Sequence, residues 1–166
     1  MKMEFGRNAK VSLTAIAGLL LLIGAAIAAS DTASTTASVS VNEFLSVTLT
    51  NDPVAFGSMD PGTTANANPG SGYPLTVTIG SESNVNGNVA TRANTDSFTG
   101  PGSLTVDNME WSPDGSSAWT GYTTSDATVC SGVSPGSTCD IYHRLTIPGG
   151  TTAGSYSTGI TVTASS

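Results

Sequence analysis

Lysine disappears from this chain after residue 10, and beyond residue 30 only Arg92 and Arg144 remain basic, against eleven carboxylates. Residues 1–30 hold three basic residues and one acidic one, so without them the formal net charge of −7 becomes −9. So acidic a chain has nothing to replace phosphate counterions, which argues against nucleic acid and anionic lipid as partners. Without lysine beyond residue 30, covalent polymerisation or internal clamping through lysine isopeptide bonds is excluded. His143 is the only histidine, so histidine-based nucleophilic catalysis and metal-assisted hydrolysis have almost no material. The expectation is that the protein is not an enzyme and carries no cofactor.

Residues 1–30 combine Lys2, Arg7 and Lys10, an uncharged apolar run and an Ala26-Ile27-Ala28 site. That is the pattern of a secretory signal peptide, here expected as an N-terminal signal helix. Two alternatives stay open. The run could serve as an uncleaved membrane anchor, the only membrane contact expected. A type IV pilin leader is less well matched, since Arg7 follows Gly6 and no acid lies in the run. Removal leaves about 136 residues, enough for one domain with a substantial core.

Cys130 and Cys139 are the only cysteines and enclose a turn rich in Gly, Pro and Ser. In an exported chain they are expected to form a disulfide; a metal site would need further ligands. About a third of residues 31–166 are Ser or Thr, a composition seen in disorder. Here the hydroxyls alternate with Val, Ile and Leu, the mark of a half-buried sheet.

The alternation is clearest at Tyr73, Leu75, Val77 and Ile79, then at Ile141, His143, Leu145 and Ile147, and at Tyr156, Ile160, Val162 and Ala164. Leu45, Val47 and Leu49 share one phase, and Val85 and Val89 another, with Gly87 expected at a bulge or close approach. Leu104 and Val106 are out of phase with Met109 and Trp111, which predicts a bulge near Asp107 and Asn108. The spacing predicts an all-β fold: an immunoglobulin-like two-sheet β-sandwich of about seven to nine strands over residues 45–166.

Several chemical signals are weak. Gly-Val-Ser-Pro-Gly around Ser134 matches a nucleophile elbow formally but lies in the cysteine turn with no helix to follow. Asp107, Asn108, Glu110 and Asp114, or Asn51, Asp52 and Asp60, could supply calcium oxygens, yet neither shows a dedicated loop pattern; turn formation explains both sets. Trp111, Trp119 and Tyr122 could form a sugar platform, or pack in the core.

Residues 31–44 are the most informative stretch. Ala33, Thr35, Ala37, Val39 and Val41 occupy one alternating face and hydroxyl residues the other. The phase resumes at Leu45 but fails between, where Glu43 falls on the apolar face and Phe44 on the polar one. One continuous strand would bury the Glu43 charge among valines at considerable cost. A break at residues 42–44 instead yields a detachable strand and an intrinsic one. A bulge within a single first strand is the alternative.

Two stretches, residues 53–64 (PVAFGSMDPGTT) and residues 145–165, with Gly154, Tyr156, Ile160 and Val162 in the closing strand, carry a resemblance. The chain resembles small secreted β-sandwich surface and filament proteins of archaea and bacteria. It is similar in plan to spore-coat-U and chaperone–usher pilus subunits and to camelysin-type (TasA-like) fibre subunits. It departs from the usher pattern in its late cysteine pair. The resemblance implies a secreted, cell-surface subunit of a pilus, biofilm fibre or surface layer. Its copies would assemble non-covalently, each donating an N-terminal strand to the next. A monomeric surface module binding a glycan or protein through its loops is the alternative.

Overall fold

A computed structural model describes residues 35–67, 74–116 and 118–166. The expected signal segment and its helix, Ala33 and Tyr73 lie outside the described residues. The chain divides into two units, residues 1–40 and 41–166. Of the first, residues 35–40 contain neither helix nor strand and are exposed.

Among the described residues the second unit has nine strands: β1 (Val47–Thr50), β2 (Thr64–Asn66), β3 (Leu75–Ile79), β4 (Gly87–Ala93), β5 (Met109–Ser112), β6 (Thr120–Gly121), β7 (Ala127–Val133), β8 (Thr138–Thr146) and β9 (Ile160–Ser165). They form two sheets. The larger runs β1-β3-β8-β5-β6, with β2 also paired to β8; the smaller is β7-β4-β9. All the pairings are antiparallel.

Period-two alternation does what it should where both sheets are present. In β3 the residues Leu75, Val77 and Ile79 are buried, and in β8 Cys139, Ile141, His143 and Leu145 are buried. Cross-strand partners share a face, so the register Val77↔Cys139 and Leu75↔Ile141 builds one apolar layer. Across from it, Val89, Thr91 and Ala93 of β4 point inward. Gly87 provides a close approach: a Cβ there would lie 2.7 Å from Ile79 Cδ1. The β4–β7 register shifts on both sides of Val89.

One expectation is corrected. The phase slip between Val106 and Met109 is made by a short 3-10 helix, Val106–Asn108, and not by a bulge. The tight turn reorients the chain so that Leu104, Val106, Met109 and Trp111 are all buried.

Cys130 and Cys139 form a disulfide between β7 and β8, joining the two sheets, with Cα atoms 6.1 Å apart. Reduction is expected to lower stability by about 2–3 kcal/mol, the loop-entropy value for so short a closure. The fold itself should persist. Urea unfolding with and without reductant checks this, and coincident midpoints would contradict it.

Arg92 lies in β4 and Arg144 in β8, each strand paired on both sides. Beyond residue 30 these are the only trypsin sites. Cleavage must wait for the sheet to open, so both bonds should survive native trypsin digestion for hours. Mass spectrometry showing a cut at Arg92 within minutes would be incompatible with a stably paired β4.

Candidate assembly site

Thr35, Ala37, Val39 and Val41 belong to no strand, and all four are exposed. Val39 is 88% and Val41 79% exposed, an unfavourable state for two valines in water. The following residues are tied down. The Asn84 side chain accepts from the Phe44 amide at 2.7 Å and donates to the Asn42 carbonyl at 2.9 Å. The Asn84 amide donates to the Phe44 carbonyl, and the Ser46 amide to Ser83 Oγ. Glu43 stays in solvent and accepts a hydrogen bond from Ser166 Oγ at 3.2 Å. The charge thus avoids the burial that a continuous apolar strand would have imposed. Strand pairing begins only at Val47.

The two sheets differ in width, and the difference exposes apolar surface. Val47 pairs with Ile79 and Leu49 with Val77, so both point to the core side. Yet Val47 is 40% and Leu49 44% exposed, whereas Val77 and Ile79 are fully buried. The smaller sheet, three strands wide, leaves β1 without a covering partner. Leu45, just before β1, is half-buried and packs against the core.

At the end of the sandwich where β1 gives way to residues 53–61, a groove of about 770 Å³ opens. Its walls are residues 53–61 and 151–158, and Leu104, Met109, Leu145 and Ile147 reach it from the core. Val54, Phe56, Met59, Tyr156 and Ile160 stand half-buried around it. The Tyr156 hydroxyl donates to the Thr152 carbonyl at 2.8 Å, bracing one wall.

The other candidate residues take structural positions. Ser134 is exposed in the β7–β8 turn, where its carbonyl accepts from the Ser137 amide. His143 is buried: the Tyr122 hydroxyl lies 2.8 Å from its Nε2, and Thr91 Oγ1 of the opposite sheet lies 3.2 Å from that hydroxyl. The two rings stack with 5.8 Å between centroids. Burial lowers the His143 pKa to about 4, opposed by a hydrogen bond to the Ile141 backbone. Burial likewise raises that of Tyr122, opposed by its bond to Thr91. This neutral network links the sheets across the core.

Of the three aromatic candidates, Trp111 and Tyr122 are buried, so the set does not come together as a surface platform. Trp119 is half-buried with the Arg144 guanidinium 4.4 Å above its ring, and Arg144 is ion-paired to Glu110. Several members of the acidic sets bond locally. Asn108 bonds to Thr105, and Asp114 accepts from Ser112 Oγ and the Ser116 amide. Asn51 donates to the Pro74 carbonyl, and the Asp60 carbonyl accepts from Thr63. Among the described residues, no three His, Cys, Asp or Glu side chains gather where a metal ion could be held.

Sequence reasoning singled out residues 31–41 but missed the groove. Met59 is an isolated apolar residue in a loop, and Tyr156 is in phase with Ile160 and Val162 but four residues ahead of the first of them. Both lie within the stretches 53–64 and 145–165 singled out above, but nothing local shows that the two stretches meet. Comparison of the chain with family models, curated proteins and solved structures finds no match to any of them.

Proposed function

We propose that this chain is a structural subunit of an extracellular filament, assembled non-covalently when the N-terminal segment of one copy pairs with a sheet edge of another. The observation that carries this reading is a mismatch within one molecule. An alternating segment exposes Val39 and Val41 without a strand partner, while the sandwich leaves Val47 and Leu49 uncovered on its core side. Each copy has what the other lacks. Strand addition to an exposed edge is a general recognition mode, with backbone hydrogen bonds for affinity and alternate side chains for specificity. A head-to-tail contact of this kind does not close on itself, so it propagates as a filament.

The sandwich is read as immunoglobulin-like in plan, and the protein as exported by the segment at residues 1–30. The Cys130–Cys139 disulfide supports an oxidising compartment. The partners are other copies of the same chain, and the role is structural, without a cofactor or catalysis.

Electron microscopy of the material secreted by expressing cells tests the reading. Regular filaments whose mass spectrum is dominated by this chain are expected. Recovery of the protein only as dispersed monomer in the medium would count against it.

A further inference from the structure

Among the described residues five strand edges lack a strand partner: β1, β2 and β6 in the larger sheet, β7 and β9 in the smaller. They are not equivalent. β2 is three residues long and β6 two, too short to template the arm. β7 carries the register shifts beside Val89 and is tied to β8 by the disulfide; bulges of this kind blunt an edge. A strand added to β1 would widen the sheet that is already wider and leave Val47 and Leu49 as they are. β9 is different. Its six residues, ITVTAS, contain no charge and no proline, so it has none of the devices that protect an edge. A fourth strand beside it would widen the narrow sheet on the side facing β1. The Ser166–Glu43 hydrogen bond places the end of β9 next to the chain leading into β1.

We infer that the acceptor site is the free edge of β9 together with the end groove, and that its occupant is the 35–41 arm of a second copy, running antiparallel to β9. This rests on the filament reading above. Length supports it: seven extended residues span roughly 23 Å and the six of β9 roughly 20 Å at 3.3 Å per residue. Size fixes the direction. The inward row of β9 runs Ile160, Val162, Ala164, and the 770 Å³ groove adjoins the Ile160 end. The arm runs from small residues to large ones, Thr35 and Ala37 to Val39 and Val41. Placing the valines in the groove and Ala37 toward Ala164 matches bulk to space. Between residues 32 and 42 the chain has no charge to bury.

The same direction solves the connection between copies. Each arm leaves its own sandwich at Asn42–Phe44, beside Ser166, whereas the groove lies at the other end of β9, before Ile160. An antiparallel arm emerges from the groove end of the acceptor at Val41 and at once joins the Ser166 end of its own sandwich. The copies therefore stack end to end. A parallel arm would bring two Ser166 ends together and give no axial stack.

Photo-crosslinking of full-length secreted chains carrying benzoylphenylalanine at position 41 or position 37 tests this. Position 41 should crosslink to residues 53–61 and 151–158 of a neighbour, and position 37 to residues near Leu45, Val47 and Ala164. As a second measurement, Val47→Ser with Leu49→Ser should raise the concentration needed for polymerisation by about 10- to 100-fold, from the apolar area left uncovered. Its unfolding midpoint should fall only modestly, since both side chains are already 40–44% exposed in the subunit, and polymerisation is compared where both proteins are folded. Filaments whose arms crosslink to the outer edge of β1, β2, β6 or β7, or in the reverse order, overturn the acceptor assignment but leave arm donation standing. Filaments with no arm crosslink to a neighbour overturn both.

Discussion

Val39→Asp should abolish polymerisation while leaving the isolated subunit as stable as before. Val39 is 88% exposed in the single chain, so the substitution removes no contact within the folded sandwich. In the assembled state the valine would be covered, and losing that burial forfeits roughly 1.5–2 kcal/mol. Seating a carboxylate in the same apolar site adds a desolvation cost of several kcal/mol. Together these raise the concentration required for assembly by at least about a thousandfold, at 1.4 kcal/mol per factor of ten. Pelleting assays read the first effect and thermal unfolding of the monomer the second. A variant that pellets like the native chain would show that Val39 is not part of the contact. Val41→Asp should behave in the same way, since Val41 is also exposed in the subunit at 79%.

The second large effect is acid sensitivity from a single side chain. His143 titrates near 6.5 when unfolded and at about 4 when buried between the sheets. The unfolded chain therefore takes up this proton first as the pH falls. Stability from keeping the ring neutral is complete above about pH 6.5, falls as the pH drops through about 4, and levels off below that. The shift corresponds to a loss of about 3 kcal/mol. Protonation would also set a charge against the Tyr122 and Thr91 hydroxyls in the core. His143→Phe keeps a ring beside Tyr122 but cannot titrate. Urea unfolding between pH 7 and pH 4.5 should show the native chain losing stability faster than this variant. Identical slopes would mean that the His143 ring is not held neutral. Carboxylates titrate in both proteins, so the difference between the curves isolates the histidine.

How much of this was legible in the residues depends on what each inference required. Leu75, Val77 and Ile79 were readable as a core face because period two is local, and so were Ile141, His143 and Leu145. The cystine was readable because only one pair exists. Val47 and Leu49 show the same alternation, yet they are half-exposed. Burial there depends on how many strands lie opposite, which follows from long-range pairings such as β4 with β9 and β3 with β8. No local window contains that information. The slip at residues 106–108 was visible as a change of phase, but a bulge and a 3-10 turn shift the phase alike, and the sequence reading chose the wrong one. Trp111 and Tyr122 presented the converse difficulty. Their type fits a surface platform or a core equally well, and only the β5–β8 register, Trp111 opposite His143, places Trp111 inside. Residues 31–41 stood out in the sequence because Glu43 and Phe44 interrupt an otherwise continuous pattern. The groove did not, because its walls are two loops, residues 53–61 and 151–158, brought together only by folding.

The most direct test is sedimentation velocity on two versions of the chain, one beginning at residue 31 and one at residue 42. As concentration rises, the longer chain should pass from a single slow boundary to fast-sedimenting polymer, while the shorter stays a folded monomer throughout. A longer chain that remains monomeric at high concentration, or a shorter one that polymerises equally well, would contradict assembly through the N-terminal arm.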